Sequence, residues 1–214
     1  MPRPRVIVHV AVSLDGKIED FDPGVTTYYD LIRPWDEEAT LCGSETILAA
    51  APDPDPPDSA TPVAGPDAAD PHPLLAVIDS RGRLRSWAGL LRAGHWSAGL
   101  AFCSETTPSE HLDYLDRLKV EAVLAGDERV DFERALDALA ERDVATVRID
   151  AGPTLIGLAL RAGLVDELSL LVHPAVSGSG RAFVDCLDAS VHLRLVASST
   201  RGAGLAWLRY EVEG

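Results

Sequence analysis

Two short turns of small residues follow apolar stretches, and each could hold an anion. The first is Asp150-Ala151-Gly152-Pro153-Thr154, which separates the apolar run 144–149 from a helical segment. The second spans 43–46 and follows the apolar run 39–42. A small-residue turn between a buried strand and a helix directs free backbone N–H groups and the positive helix end outward, which suits a phosphate. A nucleotide cofactor is therefore our leading interpretation.

The hydrogen-bond donors of the first turn can be named. Because Pro153 has no N–H group, the donors are the N–H groups of Gly152, Thr154 and Leu155 together with the Thr154 hydroxyl. An ordinary strand-to-helix connection explains the same residues, since one such turn is a weak signal. In the second turn, Glu45 would repel a pyrophosphate unless its carboxylate points away.

A third strand end carries both a hydroxyl and guanidinium groups, in Ile78-Asp79-Ser80-Arg81-Gly82-Arg83. Arginine binds phosphate in bidentate fashion, and a hydroxyl beside it completes what the 2′-phosphate of a nucleotide needs. The alternative is a solvated turn whose arginines balance an acidic surface.

A fourth strand end, Val12-Ser13-Leu14-Asp15-Gly16-Lys17, could present Asp15 and Lys17 to a reacting centre. Downstream, Thr27, Asp30 and Arg33 are spaced to share one helix face and could offer hydrogen bonds or charge. The alternative is a tight turn, because Asp-Gly favours positive φ.

The elements that would position these turns are strands alternating with helices. Most of the apolar runs are continuous rather than alternating, which predicts parallel strands covered by helices on both faces. The runs are 6–12, 39–42, 74–78, 99–103, 121–124, 144–149 and 168–175. Near the end of the chain, 191–198 and 205–212 flank a Gly-rich turn and predict an antiparallel hairpin. The fold class is therefore α/β, a mixed and mostly parallel sheet with a C-terminal antiparallel hairpin.

Helix ends are legible at three places. Thr107-Pro108-Ser109-Glu110 predicts a capping box with Pro at the first helical position. Asp131 is suited to cap the next helix. A further helix is expected to begin at Pro153 or Thr154 and to stop at Gly163.

The stretch 52–73 contains eight of the fifteen prolines and almost no large apolar residue. We interpret it as a proline-rich loop inserted within one domain that spans 1–214, because too few elements precede it to form an independent core.

Composition limits the partners. The formal net charge of −15 disfavours nucleic acid and acidic membrane surfaces, whereas a small phosphorylated ligand is compatible with local arginines and lysines. The three cysteines have no metal-ligand spacing and are expected to be reduced and buried, and no metal site is expected. The short apolar run after the N-terminus is unlike a signal peptide, so we expect a cytoplasmic protein.

Five motifs together resemble the pyrimidine reductases of riboflavin biosynthesis, which share the dihydrofolate reductase fold. The motifs occur in the order Val12–Lys17, Gly43–Ala49, Val77–Ser80, Gly152–Leu155 and Gly163–Leu168, and the similarity covers nearly the whole chain outside the proline-rich loop. The resemblance implies a homodimer that uses NADPH to deliver a hydride to the ribose carbon of a phosphoribosylamino-pyrimidine or to a related heterocyclic or carbonyl substrate.

The resemblance also implies roles for individual residues. The cofactor's phosphates and nicotinamide ribose would be lined by Gly43, Thr46, Gly152, Thr154 and Leu155. Ser80 and Arg81 would meet the 2′-phosphate, and Ser104 or Glu105 would flank the adenine. Residues bordering the substrate would be Asp15, Lys17, Thr27 and Asp30.

The chain departs from the family pattern at Glu45, Asp53 and Pro153. Two alternatives therefore stay open. One is a family member that acts as a nucleotide-binding or interaction protein without reductase activity, and the other is a different α/β enzyme that binds only a mononucleotide.

Overall fold

The structure is a computed structural model that describes residues 2–50, 53–55 and 72–213. Apart from 53–55 and 72–73, the predicted proline-rich loop lies outside the described residues. The chain divides into two compact units, one formed by residues 1–4 and 38–145 and the other by residues 5–37 and 146–214. That 1–214 forms one reductase domain stays a prediction.

The first unit contains four strands that follow the predicted apolar runs. They are β2 (Ala39–Gly43), β3 (Leu74–Ile78), β4 (Gly99–Cys103) and β5 (Glu121–Leu124). They pair in the order β5-β4-β3-β2, and every pairing is parallel. The connecting helices are α2 (Ser44–Ala49), α3 (Trp87–Arg92), α4 (Ser109–Leu118) and α5 (Phe132–Ala140). The alternation of strand and helix in this unit therefore agrees with the sequence pattern.

Helices α4 and α5 begin differently. As predicted, Asp131 caps α5, since its Oδ1 accepts the N–H groups of Glu133 and Arg134 at 2.9 and 3.2 Å. The predicted capping box of α4 is wrong, because Pro108 rather than Thr107 is the N-cap and no side chain caps the helix. The Thr107 hydroxyl instead accepts the Ser104 N–H at 2.9 Å. Through this hydrogen bond, Thr107 stabilises the end of the preceding strand rather than the first turn of α4.

The core of the first unit is built on the apolar faces of these elements. Trp87 and Leu84 are fully buried with Leu115 and Leu118 of α4. Burial of side chains of this size provides most of the driving force for folding of such a unit. The strands are thereby fixed, and their carboxyl ends become a rigid edge.

The second unit contains the remaining strands. They are β1 (Arg5–Ser13), β6 (Thr146–Ile149), β7 (Glu167–His173), β8 (His192–Thr200) and β9 (Ala206–Glu213). Strand β1 pairs in parallel with both β6 and β7. Strand β9 pairs antiparallel with β7 and with β8, so the C-terminal hairpin is confirmed. Its helices are α1 (Val25–Asp30) and α6 (Pro153–Arg161).

The strands are thus mostly parallel and end in an antiparallel hairpin, and the predicted mixed α/β fold is confirmed. Helix α6 begins at Pro153, and the chain leaves it at Gly163 with a φ of +67°. Cys42 and Cys103 are buried as expected, but the expectation is wrong for Cys186, which is exposed. Within the part of the chain that the structure describes, we find no helix of sufficient length and apolar character to cross a membrane.

Candidate functional site

The strand ends of the first unit lie side by side. In the parallel register Gly43 is opposite Ile78, and Ile78 is opposite Phe102. The residues that follow β2, β3 and β4 therefore share one edge, which is where open α/β sheets bind ligands. The structure brings together three predicted groups here, namely Gly43 with Thr46, Ser80 with Arg81, and Ser104.

Ser80 is fixed through both its backbone and its side chain. Its carbonyl oxygen accepts hydrogen bonds from Ser104 Oγ at 3.0 Å and from Thr107 Oγ1 at 2.9 Å. Its hydroxyl oxygen accepts the Val130 N–H at 2.9 Å. Since the hydroxyl accepts in that bond, its own proton is left for another acceptor. Ser80 is thus a preorganised donor at the end of β3.

Arg81 stands out among the three arginines that follow β3. Arg83 forms an ion pair with Glu45, and Arg85 lies 3.9 Å from Glu110. The exposed Arg81 guanidinium forms no hydrogen bond or ion pair with the residues that the structure describes. Pairing with Arg83 also neutralises the Glu45 carboxylate, which the sequence had suggested would repel a phosphate.

The Ser104 hydroxyl is hydrogen-bonded within the protein, whereas a ligand contact would need an accessible hydroxyl. It is buried, and its hydroxyl bonds to the Ser80 carbonyl and lies 3.0 Å from Thr106 Oγ1. The predicted position of Ser104 beside the adenine stays a prediction. Its hydroxyl stabilises the end of β3 through the hydrogen bond to the Ser80 carbonyl.

One pair of side chains at this edge was not predicted from the sequence. His111 of α4 is fully buried, and its Nε2 lies 3.5 Å from Asp79 Oδ2. Burial lowers the pKa of His111, the Asp79 carboxylate opposes that shift, and Arg85 adds to it. The signal was present in the sequence, because His111 shares a helix face with Leu115 and Leu118 at positions i, i+4 and i+7.

In the second unit, the turn after β1 is held by Asp15. The Asp15 carboxylate accepts hydrogen bonds from Ser13 Oγ at 2.6 Å and from the N–H groups of Ser177 and Gly178 at 3.0 and 2.9 Å. The Ser13 hydroxyl followed by these two N–H groups lowers the pKa of Asp15 to about 2. Asp15 is thus an ionised side chain that ties this turn to the loop after β7.

The other substrate candidates are arranged around their own elements. Lys17 closes the same turn, since its N–H donates to Ser13 Oγ at 2.9 Å, and its ammonium group forms no ion pair with the described residues. Thr27 and Asp30 both lie on α1, as predicted, but the prediction is wrong for Arg33, which lies beyond α1 in the short 3₁₀ helix Arg33–Trp35. The contact of Thr27 and Asp30 with a substrate stays a prediction.

The turn between β6 and α6 places Gly152 at the N-cap and Pro153 at the first helical position. The Thr154 hydroxyl donates to Asp185 Oδ2 at 3.1 Å, so it is engaged within the chain. A Cβ atom at Gly157 would lie 1.7 Å from the Asp185 carbonyl oxygen, so this approach requires glycine. The cofactor contacts of Gly152, Thr154 and Leu155 stay predictions.

Beneath this turn, the second unit buries an ion-pair network. The guanidinium group of Arg148 is 1% exposed and donates to Glu37 at 2.5 Å and to Asp150 at 2.8 Å. Because a buried charge must be paired, Arg148 offsets the acidic residue that opens the turn. The sequence did not predict this network, because Glu37 lies 111 residues from Arg148 in the chain.

His9 lies in β1 next to this network. Its Nδ1 is 2.9 Å from Ser169 Oγ, which accepts the Trp207 indole N–H at 2.8 Å. Burial, and secondarily Arg148, lower the pKa of His9 to about 4. The imidazole is therefore neutral at physiological pH.

Comparisons with known proteins identify the family of this chain. The profile of the RibD C-terminal domain family matches residues 4–207. The chain belongs to the RibD C-terminal domain family. It is 29% identical, over 99% of its own length and 100% of the relative's, to the 2,5-diamino-6-ribosylamino-4(3H)-pyrimidinone 5′-phosphate reductase of Methanothermobacter thermautotrophicus.

Solved structures show the fold of this chain. A pyrimidine reductase-like protein from Corynebacterium diphtheriae superposes with a TM-score of 0.76 at 19% identity, covering 99% of this chain and 92% of the other. Dihydrofolate reductase from Enterococcus faecalis, solved with NADP(H), superposes with a TM-score of 0.52 at 13% identity, covering 98% and 97% of the two chains. The dihydrofolate reductase-like fold implied by the sequence motifs is confirmed.

Proposed function

We propose that this chain is an NADPH-dependent reductase that transfers a hydride to the ribose carbon of a phosphoribosylamino-pyrimidine, giving a ribityl product in riboflavin biosynthesis. Family membership and similarity to a reductase named for a ribosylamino-pyrimidinone 5′-phosphate support this substrate class. A related heterocyclic or carbonyl substrate is the wider class. NADPH supplies the hydride when bound, and the chain supplies binding and orientation.

One observation carries the choice of NADPH, namely that the exposed Arg81 guanidinium, which forms no ion pair with the described residues, follows directly on Ser80, whose hydroxyl proton is left for another acceptor. In a chain with a formal net charge of −15, such an arginine creates a local preference for an anion. Hydroxyl and guanidinium donors match a 2′-phosphate, so the donor set fits the cofactor. We assign Ser80 and Arg81 to the 2′-phosphate.

The remaining assignments follow the predicted sets. In the first unit, Gly43 and Thr46 contact cofactor phosphates and Ser104 lies towards the adenine. In the second unit, the cofactor set is Gly152, Thr154 and Leu155, and the substrate set is Asp15, Lys17, Thr27 and Asp30. The Lys17 ammonium group, which forms no ion pair with the described residues, supports an anionic substrate.

Fluorescence titration with NADPH and NADH tests the proposal. We expect NADPH to bind at micromolar concentration or below, and at least about tenfold more tightly than NADH. Arg81→Ala should remove most of this preference, because a bidentate phosphate contact is lost. NADPH oxidation, followed by absorbance with the ribosylamino-pyrimidine 5′-phosphate as substrate, tests turnover.

Arg117→Ala is the matched control for this titration. Arg117 is exposed in the last turn of α4, and the substitution removes the same charge. It should leave both affinities within about twofold, since exposed surface charges contribute little. Binding of neither nucleotide by the wild-type protein would disprove the proposal.

The family member without reductase activity has one observation in its favour. Pro153 has no N–H group and the Thr154 hydroxyl is engaged by Asp185, so the turn before α6 offers few donors. If this turn is degenerate, Pro153→Gly should increase NADPH affinity markedly. A working turn should gain little.

We further infer a cytoplasmic homodimer, on the resemblance to the riboflavin reductases. In the outer strand β8, Leu195 is 51% exposed, Val196 is 40% exposed and Leu193 is 38% exposed, so these apolar side chains are accessible for contact with a second copy of the chain. Light scattering should give twice the 22.8 kDa mass of one chain. A mass of 22.8 kDa would exclude the dimer.

A further inference from the structure

The turn that presents Ser80 and Arg81 is closed by the side chain of Asp79. The Gly82 N–H donates to the Asp79 carbonyl oxygen at 3.0 Å, and the Leu84 N–H donates to Asp79 Oδ2 at 2.8 Å. Asp79 is itself 1% exposed, and its N–H donates to the Phe102 carbonyl of β4 at 2.9 Å. One buried carboxylate therefore determines the path of the chain through Ser80 and Arg81.

The imidazole of His111 supports this turn from below. Gly82 has a φ of +60°, and a Cβ atom there would lie 2.8 Å from both Cβ and Cγ of His111. The turn therefore packs directly against the imidazole ring, and position 82 has no space for a side chain. The contact between His111 Nε2 and Asp79 Oδ2, at 3.5 Å, joins the ring to the carboxylate that closes the turn.

Stability alone does not account for this pair. Neither nitrogen of His111 makes a hydrogen bond with the described residues, and Asp79 Oδ1 makes none either. Buried polar atoms of this kind carry a desolvation cost, and apolar residues of similar volume are often as stabilising. What the pair provides is a fixed direction for the turn above it.

We propose that His111 and Asp79 are positioning residues that set the preference for a 2′-phosphorylated nicotinamide nucleotide, because together with Gly82 they hold Ser80 and Arg81 in one geometry. This inference rests on the proposed function, since it assigns the 2′-phosphate to Ser80 and Arg81. His111 acts through the turn and makes no contact with the cofactor. Its effect must therefore depend on Arg81.

His111→Leu and His111→Gln separate this role from plain packing. Leucine fills the space without a polar atom, whereas the glutamine amide can place a donor N–H near Asp79, in the region where Nε2 of the imidazole lies 3.5 Å from Oδ2. His111→Leu should weaken NADPH binding about tenfold and NADH binding less than about twofold, as expected if one charge-assisted phosphate contact is misplaced. His111→Gln should restore most of the preference. Adenosine 2′,5′-bisphosphate and 5′-AMP, measured by calorimetry, should repeat the pattern.

A double variant tests whether His111 acts through Arg81. In the Arg81→Ala background, His111→Leu should cause no further change in the ratio of NADPH to NADH affinity, because the positioned group is gone. Equal weakening of both nucleotides by His111→Leu, or an undiminished effect in the double variant, would overturn the inference while the proposed function stands. If the wild-type protein binds neither NADPH nor the bisphosphate, the proposed function itself fails. Should His111→Leu not fold, His111→Met, which also lacks a hydrogen-bond donor, gives the same comparison with and without Arg81.

Discussion

Burial lowers the pKa of three histidines, His9, His111 and His173, so each is neutral in the folded protein near pH 7. The unfolded chain binds protons at these positions near pH 6.5, whereas folded His9 does so only near pH 4. Stability from the neutral imidazole is therefore complete above pH 6.5 and is lost as the pH falls towards 4.

This linkage predicts the effect of His9→Asn on acid stability. The wild-type protein should lose up to ~3 kcal/mol through His9 across this pH window, and the variant should lack that part of the slope. Urea unfolding at a series of pH values measures it. His95→Asn, which changes an exposed histidine, should leave the slope intact. Parallel slopes for His9→Asn and the wild-type protein would contradict the prediction.

A second prediction concerns the exposed ion pair between Glu45 and Arg83. Glu45→Gln removes a negative charge from the strand-end edge and releases a guanidinium group. We expect NADPH affinity to rise roughly two- to fivefold at low salt and the gain to vanish at high salt, because such charges are screened. The free energy of unfolding should change by less than ~1 kcal/mol.

Glu141→Gln is the control for this charge change, because Glu141 lies at the C-terminal end of α5. It should not alter NADPH affinity at either salt concentration. A decrease in affinity for Glu45→Gln would show instead that the carboxylate is needed to hold Arg83 in place.

At the scale of elements, helix α3 depends on a residue distant in sequence. Asp55 accepts hydrogen bonds from the N–H groups of Ala88 and Gly89 at 2.7 and 3.0 Å. It also accepts the Tyr114 hydroxyl at 2.7 Å. Ser86, which occupies the N-cap position, provides no side-chain hydrogen bond to the helix. A segment of the proline-rich stretch thus caps α3 and ties it to α4.

Asp55→Ala should therefore lower the free energy of unfolding by ~2–3 kcal/mol, through loss of the cap and of the acceptor for the Tyr114 hydroxyl proton. Tyr114→Phe should cost ~1–2 kcal/mol, because it removes this hydrogen bond and also the acceptor of the Trp87 N–H. Because the two side chains share one hydrogen bond, the double variant should lose less than the sum of the two single losses, measured by urea denaturation. Additive losses would rule out the shared bond.

Sequence patterns predict elements well here, but they predict long-range side-chain contacts poorly. Continuous apolar runs identified β1 to β7, and most of these strands are buried on both faces, which gives a strong local signature; β5, which is mostly exposed, is the exception. The capping of α3 by Asp55 has no such signature, because it depends on where the fold brings a distant segment. For the same reason the sequence singled out Ser80 and Arg81 but did not reveal that Asp79 and His111 support them.

At the scale of the whole molecule, a bound cofactor should stabilise the chain by mass action. With NADPH at about 100 times its Kd, the free energy of unfolding rises by ~2.7 kcal/mol. For a chain of 214 residues this corresponds to a rise in Tm of roughly 5–10 °C. NADH at the same concentration should produce about half that rise or less, because it is then at about 10 times its Kd or below, and Arg81→Ala should bring the NADPH value close to that of NADH. Arg117→Ala is again the control and should keep the full difference. A protein that has kept the fold without its cofactor would show no shift with either nucleotide, so an unchanged Tm for the wild-type chain would favour the interaction protein over the reductase.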